Sequence, residues 1–283
     1  MSDVHATRII IMNYRHIYHA GNFADVIKHI VLITLLKSLQ KKEVPFCLLD
    51  THAGIGLYDL HSNESQKKQE SQNGIGKLFF SRSEEIPEII KNYLEIVKKY
   101  NADELLFYPG SPLIAENTLR ENDQLILCEL HPDDFQTLKT PFSKKNNIAI
   151  HHMDAYLAMK AFLPPKLKRG LVLIDPPFEK TDEFQKIIDG LKHTLKHWRS
   201  GIFMIWYPIK NTDHVKKFYD EIQNIAVSHL IIEFGLLDSV EPGKLSECGL
   251  LIINPPWKIA DELKTVILPY LSDKLNAQYN LYR

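Results

Sequence analysis

The chain has 283 residues, 45% of them apolar and 24% charged, with a formal net charge of −1. That composition suits a globular protein with a large core and excludes disordered and collagen-like classes. The cysteines, Cys47, Cys128 and Cys248, are three in number and form no C-x-x-C pair, which argues against a disulfide scaffold or a zinc site. No export signal or membrane-length apolar run stands out, so a cytoplasmic location is expected.

Residues 1–11 read as a flexible extension, and Arg8, Arg15, His16 and His19 make the N-terminus basic. Asn22 is placed to cap a helix over 22–40. Its apolar residues run nearly all round, so this helix is expected to be well buried. Residues 45–49 read as a first strand, followed by Asp50-Thr51-His52-Ala53-Gly54-Ile55-Gly56. From 58 to 73 the chain is polar, and a helix over 84–100 is then expected behind a Ser81-x-x-Glu84 capping box. This stretch breaks the alternation of strands and helices, so 59–107 read as an inserted helical subdomain, with 1–58 and 108–283 forming the main domain.

Alternation resumes after the tight Pro109-Gly110-Ser111-Pro112 loop. A helix over 113–120, a strand over 124–129, a helix over 133–142 and a strand over 148–151 come next. A strand over 171–174, a helix over 182–199, a strand over 201–206 and a helix over 215–225 follow. Strands over 230–234 and 249–253 have little room between them and suggest an antiparallel edge. The whole argues for an α/β fold around an open, mainly parallel sheet. Basic clusters stand at 166–169 and along Lys186, Lys192, His193, Lys196, His197 and Arg199. Each reads first as a solvated surface and second as a phosphate-tracking face.

In such sheets ligands bind beyond the carboxyl ends of the strands. The 50–56 loop puts small residues where a ligand would approach backbone, but it lacks the full G-x-G-x-x-G that seats a pyrophosphate. S-adenosylmethionine (SAM) has no phosphate, so a shorter glycine pattern is enough. Glu129, Asp154 and Asp175 end three successive strands. Glu129 is placed for ribose hydroxyls, Asp154 for an adenine amino group, and Asp175 opens the tetrapeptide Asp175-Pro176-Pro177-Phe178. There the carboxylate and the Pro176 carbonyl can accept hydrogen bonds from an NH2 on a planar ring. Proline stiffens the loop, and Phe178 offers a face for a base to stack on. Each acid alone is also a fair N-cap for the helix behind it; the series points to SAM-dependent methylation of an amine.

With these residues assembled, the chain resembles the RlmJ family, SAM-dependent methyltransferases that modify an adenine N6 in 23S ribosomal RNA. The resemblance rests on Tyr14-Arg15-His16-x-x-His19-Ala20-Gly21-Asn22-x-Ala24-Asp25-Val26-x-Lys28-His29, on Leu49-Asp50-Thr51-His52-Ala53-Gly54-x-Gly56 and on Tyr108-Pro109-Gly110-Ser111-Pro112-Leu113. Glu129-Leu130-His131-Pro132, Leu173-Ile174-Asp175-Pro176-Pro177, Trp206-Tyr207-Pro208 and Ile253-Asn254-Pro255-Pro256-Trp257 agree as well. It implies a Rossmann-like methyltransferase sheet with a small helical insertion, a monomer acting on 23S ribosomal RNA. It further implies that His29, His52, Ser111, Glu129, Asp154, Ala155 and Asp175 contact SAM, that Tyr14 touches the RNA, and that Asp175 is catalytic. The chain departs from the family in Phe178, where tyrosine is common, and in Met153-Asp154-Ala155-Tyr156, where Ala-Asp-Gly-Phe is usual.

Asn254-Pro255-Pro256-Trp257 is a second amine-methylating pattern, but it follows a strand expected to be antiparallel. It should lie at the opposite end of the sheet, as a structural turn with a packed tryptophan. His16, His19 and His29 share no helix face and have no spaced acidic or cysteine partner, so no metal is expected. Rival readings are a DNA-adenine or protein-glutamine N-methyltransferase and a non-catalytic RNA-binding module on the same fold.

Overall fold

The computed structural model describes residues 16–81, 85–142, 145–238 and 244–283. Residues 1–11, Tyr14, Arg15 and Glu84 of the expected capping box lie outside them. After a 3-10 turn at His16–Tyr18, α1 (Phe23–Gln40) starts at Asn22, whose side chain accepts the Asp25 N–H. Val26, Ile27, Ile30, Val31 and Leu35 are fully buried, as the all-round apolar pattern requires.

β1 (Cys47–Asp50) leads to β2 (Leu57–Asp59), which pairs antiparallel with β3 (Phe107–Pro109). Between these two short strands lie α2 (Asn63–Gln66), a 3-10 turn at Glu70–Asn73, α3 (Ile75–Phe79) and α4 (Glu88–Lys98). α4 starts at Glu88 rather than at 84, with Pro87 extended at its N-cap. A residue preceding proline is driven out of the helical region, so Ile86 cannot belong to the helix. Ile90, Tyr93, Leu94 and Val97 of α4 bury themselves in the same core as α1.

α5 (Ser111–Thr118), β4 (Gln124–Glu129), α6 (Pro132–Phe142), β5 (Ile148–His152), α7 (Ala155–Phe162) and β6 (Gly170–Ile174) follow in order. Then come α8 (Glu183–His197), β7 (Ile202–Pro208), α9 (Thr212–Asn224), β8 (His229–Leu236) and β9 (Glu247–Ile253). α10 (Ile259–Glu262), a π-helical turn (Leu263–Ile267) and α11 (Leu268–Leu275) run on to β10 (Ala277–Tyr282). The main sheet has eight strands in the order β10-β8-β9-β7-β6-β1-β4-β5. From β7 through β5 the pairs are parallel, while β9 runs antiparallel to both β7 and β8.

The antiparallel strand therefore exists as expected, but it is not the edge. β9 is interior and β10 takes the edge, pairing antiparallel with β8. Strand alternation divides the core: Leu171 and Leu173 of β6 face α1, α4 and α5, whereas Val172 and Ile174 face α7, α8 and α9. All five residues of β6 are buried, so its sequence reads as a continuous apolar run. The strand order reverses between β1 and β6, and the crevice beyond their carboxyl ends is where such a sheet holds a ligand. Among the described residues no helix is long and apolar enough to cross a membrane.

Candidate active site

Four acids end four neighbouring parallel strands: Asp50 on β1, Glu129 on β4, Asp154 beyond β5 and Asp175 beyond β6. The 50–56 loop folds over this edge. Gly54 has φ +63 and donates its N–H to Glu129 Oε2 at 2.8 Å, while a Cβ at Gly54 would stand 2.2 Å from the Tyr58 hydroxyl oxygen. Only glycine meets both demands. Glu129 Oε1 accepts the His131 N–H at 2.7 Å, so backbone donors fix both carboxylate oxygens, and burial pushes its pKa up. Asp154 is an N-cap: its Oδ1 takes the N–H groups of Tyr156 and Leu157, each at 3.0 Å, with Ala155 buried as the first residue of α7. The N-cap alternative is thus real for Asp154, and it occupies one oxygen only.

Asp175 has a different neighbourhood. Its Oδ2 accepts from Lys28 Nζ at 2.5 Å, and the same ammonium donates to Asp25 Oδ1 at 2.7 Å. Asp25 Oδ2 accepts the Gly21 N–H and meets His16 Nε2, both at 2.9 Å. Burial alone would strip the charge from Lys28, but the Asp175 and Asp25 carboxylates outweigh it and raise its pKa. Asp25 is likewise held ionised: burial opposes it, and His16 and Lys28 win. Pro176 is buried. Phe178 has φ +49 and packs against Phe184 at 4.9 Å and Trp206 at 6.1 Å between ring centroids. Asn22, Lys28, Asp175, Pro177 and Trp206 line one open cleft.

His29 sits beside Lys28 on α1, and its Nδ1 bonds the Tyr108 hydroxyl at 2.7 Å. Burial, then the Lys28 charge, push it down to about 3, so its ring is neutral. His52, bonded through Nδ1 to Thr51 Oγ1 at 2.9 Å, is pushed down to about 4 by burial. Ser111, at the start of α5, is buried, and its hydroxyl acts against the rise that burial imposes on Asp50, whose pKa reaches about 7. Among the described residues, His29 Nε2 and Asp50 Oδ2 are buried without a hydrogen-bond partner, as is Trp206 Nε1 beside the cleft.

The structure thus brings Glu129, Asp154, Ala155, Asp175, His52 and Ser111 to one edge, with His29 beside Lys28. Tyr14 lies outside the described residues. Sequence reasoning missed Lys28, Asp25 and Asp50 as site residues. The available signal was an Asp and a Lys at i and i+3 on a helix that is otherwise apolar all round.

The second motif resolves against chemistry. Ile253 pairs with Phe203 at the start of β7, so Asn254 lies at the sheet end away from Asp175. Asn254 adopts φ +51 and donates through Nδ2 to the Arg199 and Gly201 carbonyls at 2.8 Å, which makes it a structural turn. The expectation of a packed tryptophan is corrected: Trp257 is 84% exposed, with Lys258 Nζ 4.4 Å from its ring centroid. Among the described residues none buries the Trp257 ring, while Ile259 and Ala260 of α10 are turned into the core. His16 and His19 of the basic N-terminal stretch line the cleft, whereas the clusters at 166–169 and along α8 are not among its lining residues. Lys186 pairs with Asp182, Lys192 with Glu221, and Arg169 reaches the carbonyls of Val44 and Leu39 at the far end of β1.

A doubly wound sheet with acids on its carboxyl edge and an Asp-Pro-Pro-aromatic loop beside an open cleft defines a Rossmann-like methyltransferase. A family model described as ribosomal RNA large subunit methyltransferase D, RlmJ, matches residues 43–281. The chain is similar to ribosomal RNA large subunit methyltransferase J of Haemophilus influenzae, 39% identical over 267 residues, covering 93% of this chain and 94% of that one. The Escherichia coli protein of the same name is 37% identical over 266 residues, with the same coverage. A crystal structure of a Legionella pneumophila protein superimposes with a TM-score of 0.86 at 35% identity, covering 93% of this chain and 98% of that one. The chain belongs to the RlmJ family of ribosomal RNA large subunit methyltransferases.

Proposed function

We propose that the protein methylates the N6 amine of an adenine in 23S ribosomal RNA with SAM as methyl donor, acting as a monomer. The observation that carries this reading is Asp175, held at the end of β6 by Lys28 and opening a Pro-Pro-aromatic loop beside the cleft.

The residues fit SAM. Glu129 offers two fixed oxygens to ribose hydroxyls, and Asp154 has an oxygen free of its cap for the adenine amine. The unpartnered His29 Nε2 and Asp50 Oδ2 suit the charged amino-acid end. When bound, SAM supplies an electrophilic methyl group on a sulfonium sulfur.

The N6 lone pair of adenine is delocalised into the ring, so the protein's task is to aim the nitrogen and draw its lone pair out of the ring plane. Lys28 occupies Asp175 Oδ2 and thereby orients Oδ1 toward the incoming amine. Asp175 Oδ1 and the Pro176 carbonyl, accepting both N6–H bonds, favour a pyramidal nitrogen. No strong base is needed, since the methylated nitrogen is acidic and loses its proton readily. Phe178, held by Phe184 and Trp206, supports the flipped base.

The test offers labelled SAM to the purified protein with a 23S transcript, genomic DNA or total protein. Label in the RNA, recovered as N6-methyladenosine, is expected. Label confined to DNA or protein would overturn the assignment, and RNA binding without SAM binding in calorimetry would make the protein a non-catalytic module.

A further inference from the structure

We propose that Tyr108 and Tyr93 are positioning residues that lock His29 in the tautomer bearing its proton on Nε2, so that the site presents one N–H donor to the carboxylate of the methyl donor's amino-acid end. This rests on the SAM-site reading above and assigns a role to the inserted helices in it. Tyr93 belongs to α4, between the two ribbon strands, and its hydroxyl lies 3.1 Å from that of Tyr108 on β3. Tyr108 in turn lies 2.7 Å from His29 Nδ1, with the two rings stacked at 5.6 Å and 19°. Both tyrosines are fully buried and His29 is nearly so.

Hydrogen-bond accounting selects the direction. If Tyr93 donates to Tyr108, and Tyr108 to His29 Nδ1, every hydroxyl proton in the chain is used and Nε2 carries the ring proton. If the chain ran the other way, the Tyr93 proton and the His29 Nε2 lone pair would both be buried without a partner, two stranded groups against the one Nε2–H that the first direction leaves for a ligand. The first arrangement leaves a donor at His29 Nε2 and an acceptor at Asp50 Oδ2, both without a partner among the described residues. A donor and an acceptor together match a zwitterion. From Tyr108, β3 runs within three residues into Ser111, whose hydroxyl acts on the Asp50 carboxyl, so one short segment touches both residues.

The experiment compares S-adenosylhomocysteine with methylthioadenosine, which lacks the amino-acid end, on the wild-type protein and on Tyr108→Phe and Tyr93→Phe. Tyr108→Phe should weaken S-adenosylhomocysteine roughly tenfold while leaving methylthioadenosine within about twofold. Tyr93→Phe should give a smaller loss of the same kind. Nitrogen-15 spectra of His29 should show the Nε2–H tautomer in the wild type and a mixture in Tyr108→Phe. Equal losses for both ligands, or an unchanged tautomer in Tyr108→Phe, would overturn the proposal. A wild-type protein that binds neither ligand would instead defeat the SAM-site reading.

A separate observation concerns the opposite end of the sheet. There we infer a second RNA contact, an aromatic platform flanked by cations, on the turn that carries Trp257. The turn is held rigidly: Asn254 donates to Arg199 and Gly201, its own N–H bonds Ser228, and Trp198 Nε1 donates to the Lys168 carbonyl at 3.0 Å. These bonds place Lys168, Arg199, Trp257 and Lys258 in one neighbourhood, with Lys196 on the last turn of α8. Among the described residues none of these four cations is in an ion pair, and Asp261 on the following helix is taken by Arg283. An exposed indole beside unpaired cations matches RNA, whose bases stack and whose phosphates need neutralising.

Trp257→Ala should weaken binding of a long 23S transcript about fivefold or more. Lys168→Glu with Lys196→Glu should lower the slope of log affinity against log salt by roughly 1–2. SAM binding should be unchanged in both variants. Unaltered RNA affinity and salt slope would overturn the contact, as would a change in sedimentation mass in place of RNA affinity, which would make this face a protein interface.

Discussion

Lys28 is the residue on which the catalytic reading turns. Its ammonium is buried against two carboxylates, and removing it leaves Asp175 without its cation and Asp25 with His16 alone. Lys28→Met is therefore expected to cost about 3–5 kcal/mol of stability, read from the denaturation midpoint. Asp175→Ala should reduce kcat by on the order of 10²–10³-fold with a near-native spectrum, and normal turnover would refute its role. Asp50 makes one contribution to the pH dependence of stability, opposed by His29 and His52, whose lowered pKa values favour the folded protein as pH rises toward 6.5. Burial pushes the folded pKa of Asp50 up to about 7, above its unfolded value of roughly 4. Between those values the folded protein keeps a proton that the unfolded chain has released. The Asp50 contribution is thus complete below about pH 4 and fades as pH rises toward 7. A bound ammonium favours the ionised form, so ligand binding near pH 6 should expel up to one proton. Titration calorimetry in buffers of different ionisation enthalpy measures this, and Asp50→Asn should abolish it.

At the scale of elements, Asp154 is the observed N-cap of α7 and, on the proposed function, a ligand-binding acid as well. As the N-cap of α7 it satisfies two orphan N–H groups, and as a strand-end acid it faces the ligand edge. The roles separate by substitution. Asp154→Ser keeps a capping oxygen and should leave stability within about 0.5 kcal/mol while weakening SAM binding. Asp154→Ala should lose roughly 1 kcal/mol of stability as well. If Asp154→Ser binds SAM normally, the residue is a cap alone. α7 itself escaped the sequence reading. It has eight residues, too few for a helical period to declare itself, and only Ala155, Ala158 and Met159 are buried.

For the whole molecule, the inserted helices share the core of α1 rather than owning one. Ile90, Tyr93 and Val97 are fully buried in that common core, each worth about 1.5–3 kcal/mol. Replacing residues 60–106 by a short turn between β2 and β3 should therefore abolish cooperative unfolding, not release a stable smaller enzyme. Calorimetry of that variant checks it, and a sharp transition near the wild-type temperature would show that 59–107 form a dispensable subdomain. The C-terminal segment plays a matching part on the same side of the sheet, where Leu263, Ile267, Leu268 and Leu271 are fully buried.

The amino-acid sequence alone determined the α/β class, the buried first helix, the parallel strands and the acids at 129, 154 and 175, because each is a local pattern. Apolar runs mark buried strands, an all-round apolar helix marks a core helix, and an acid after a strand marks the carboxyl edge. Tertiary structure alone decided what is set between distant segments. It put Lys28 against Asp175, 147 positions apart. It brought Tyr93 to His29 through Tyr108 and placed β10 on the edge. It also left Trp257 exposed where a packed side chain was expected. Pairing of this kind depends on how the crossovers stack the sheet, and no periodicity within a window of sequence encodes it.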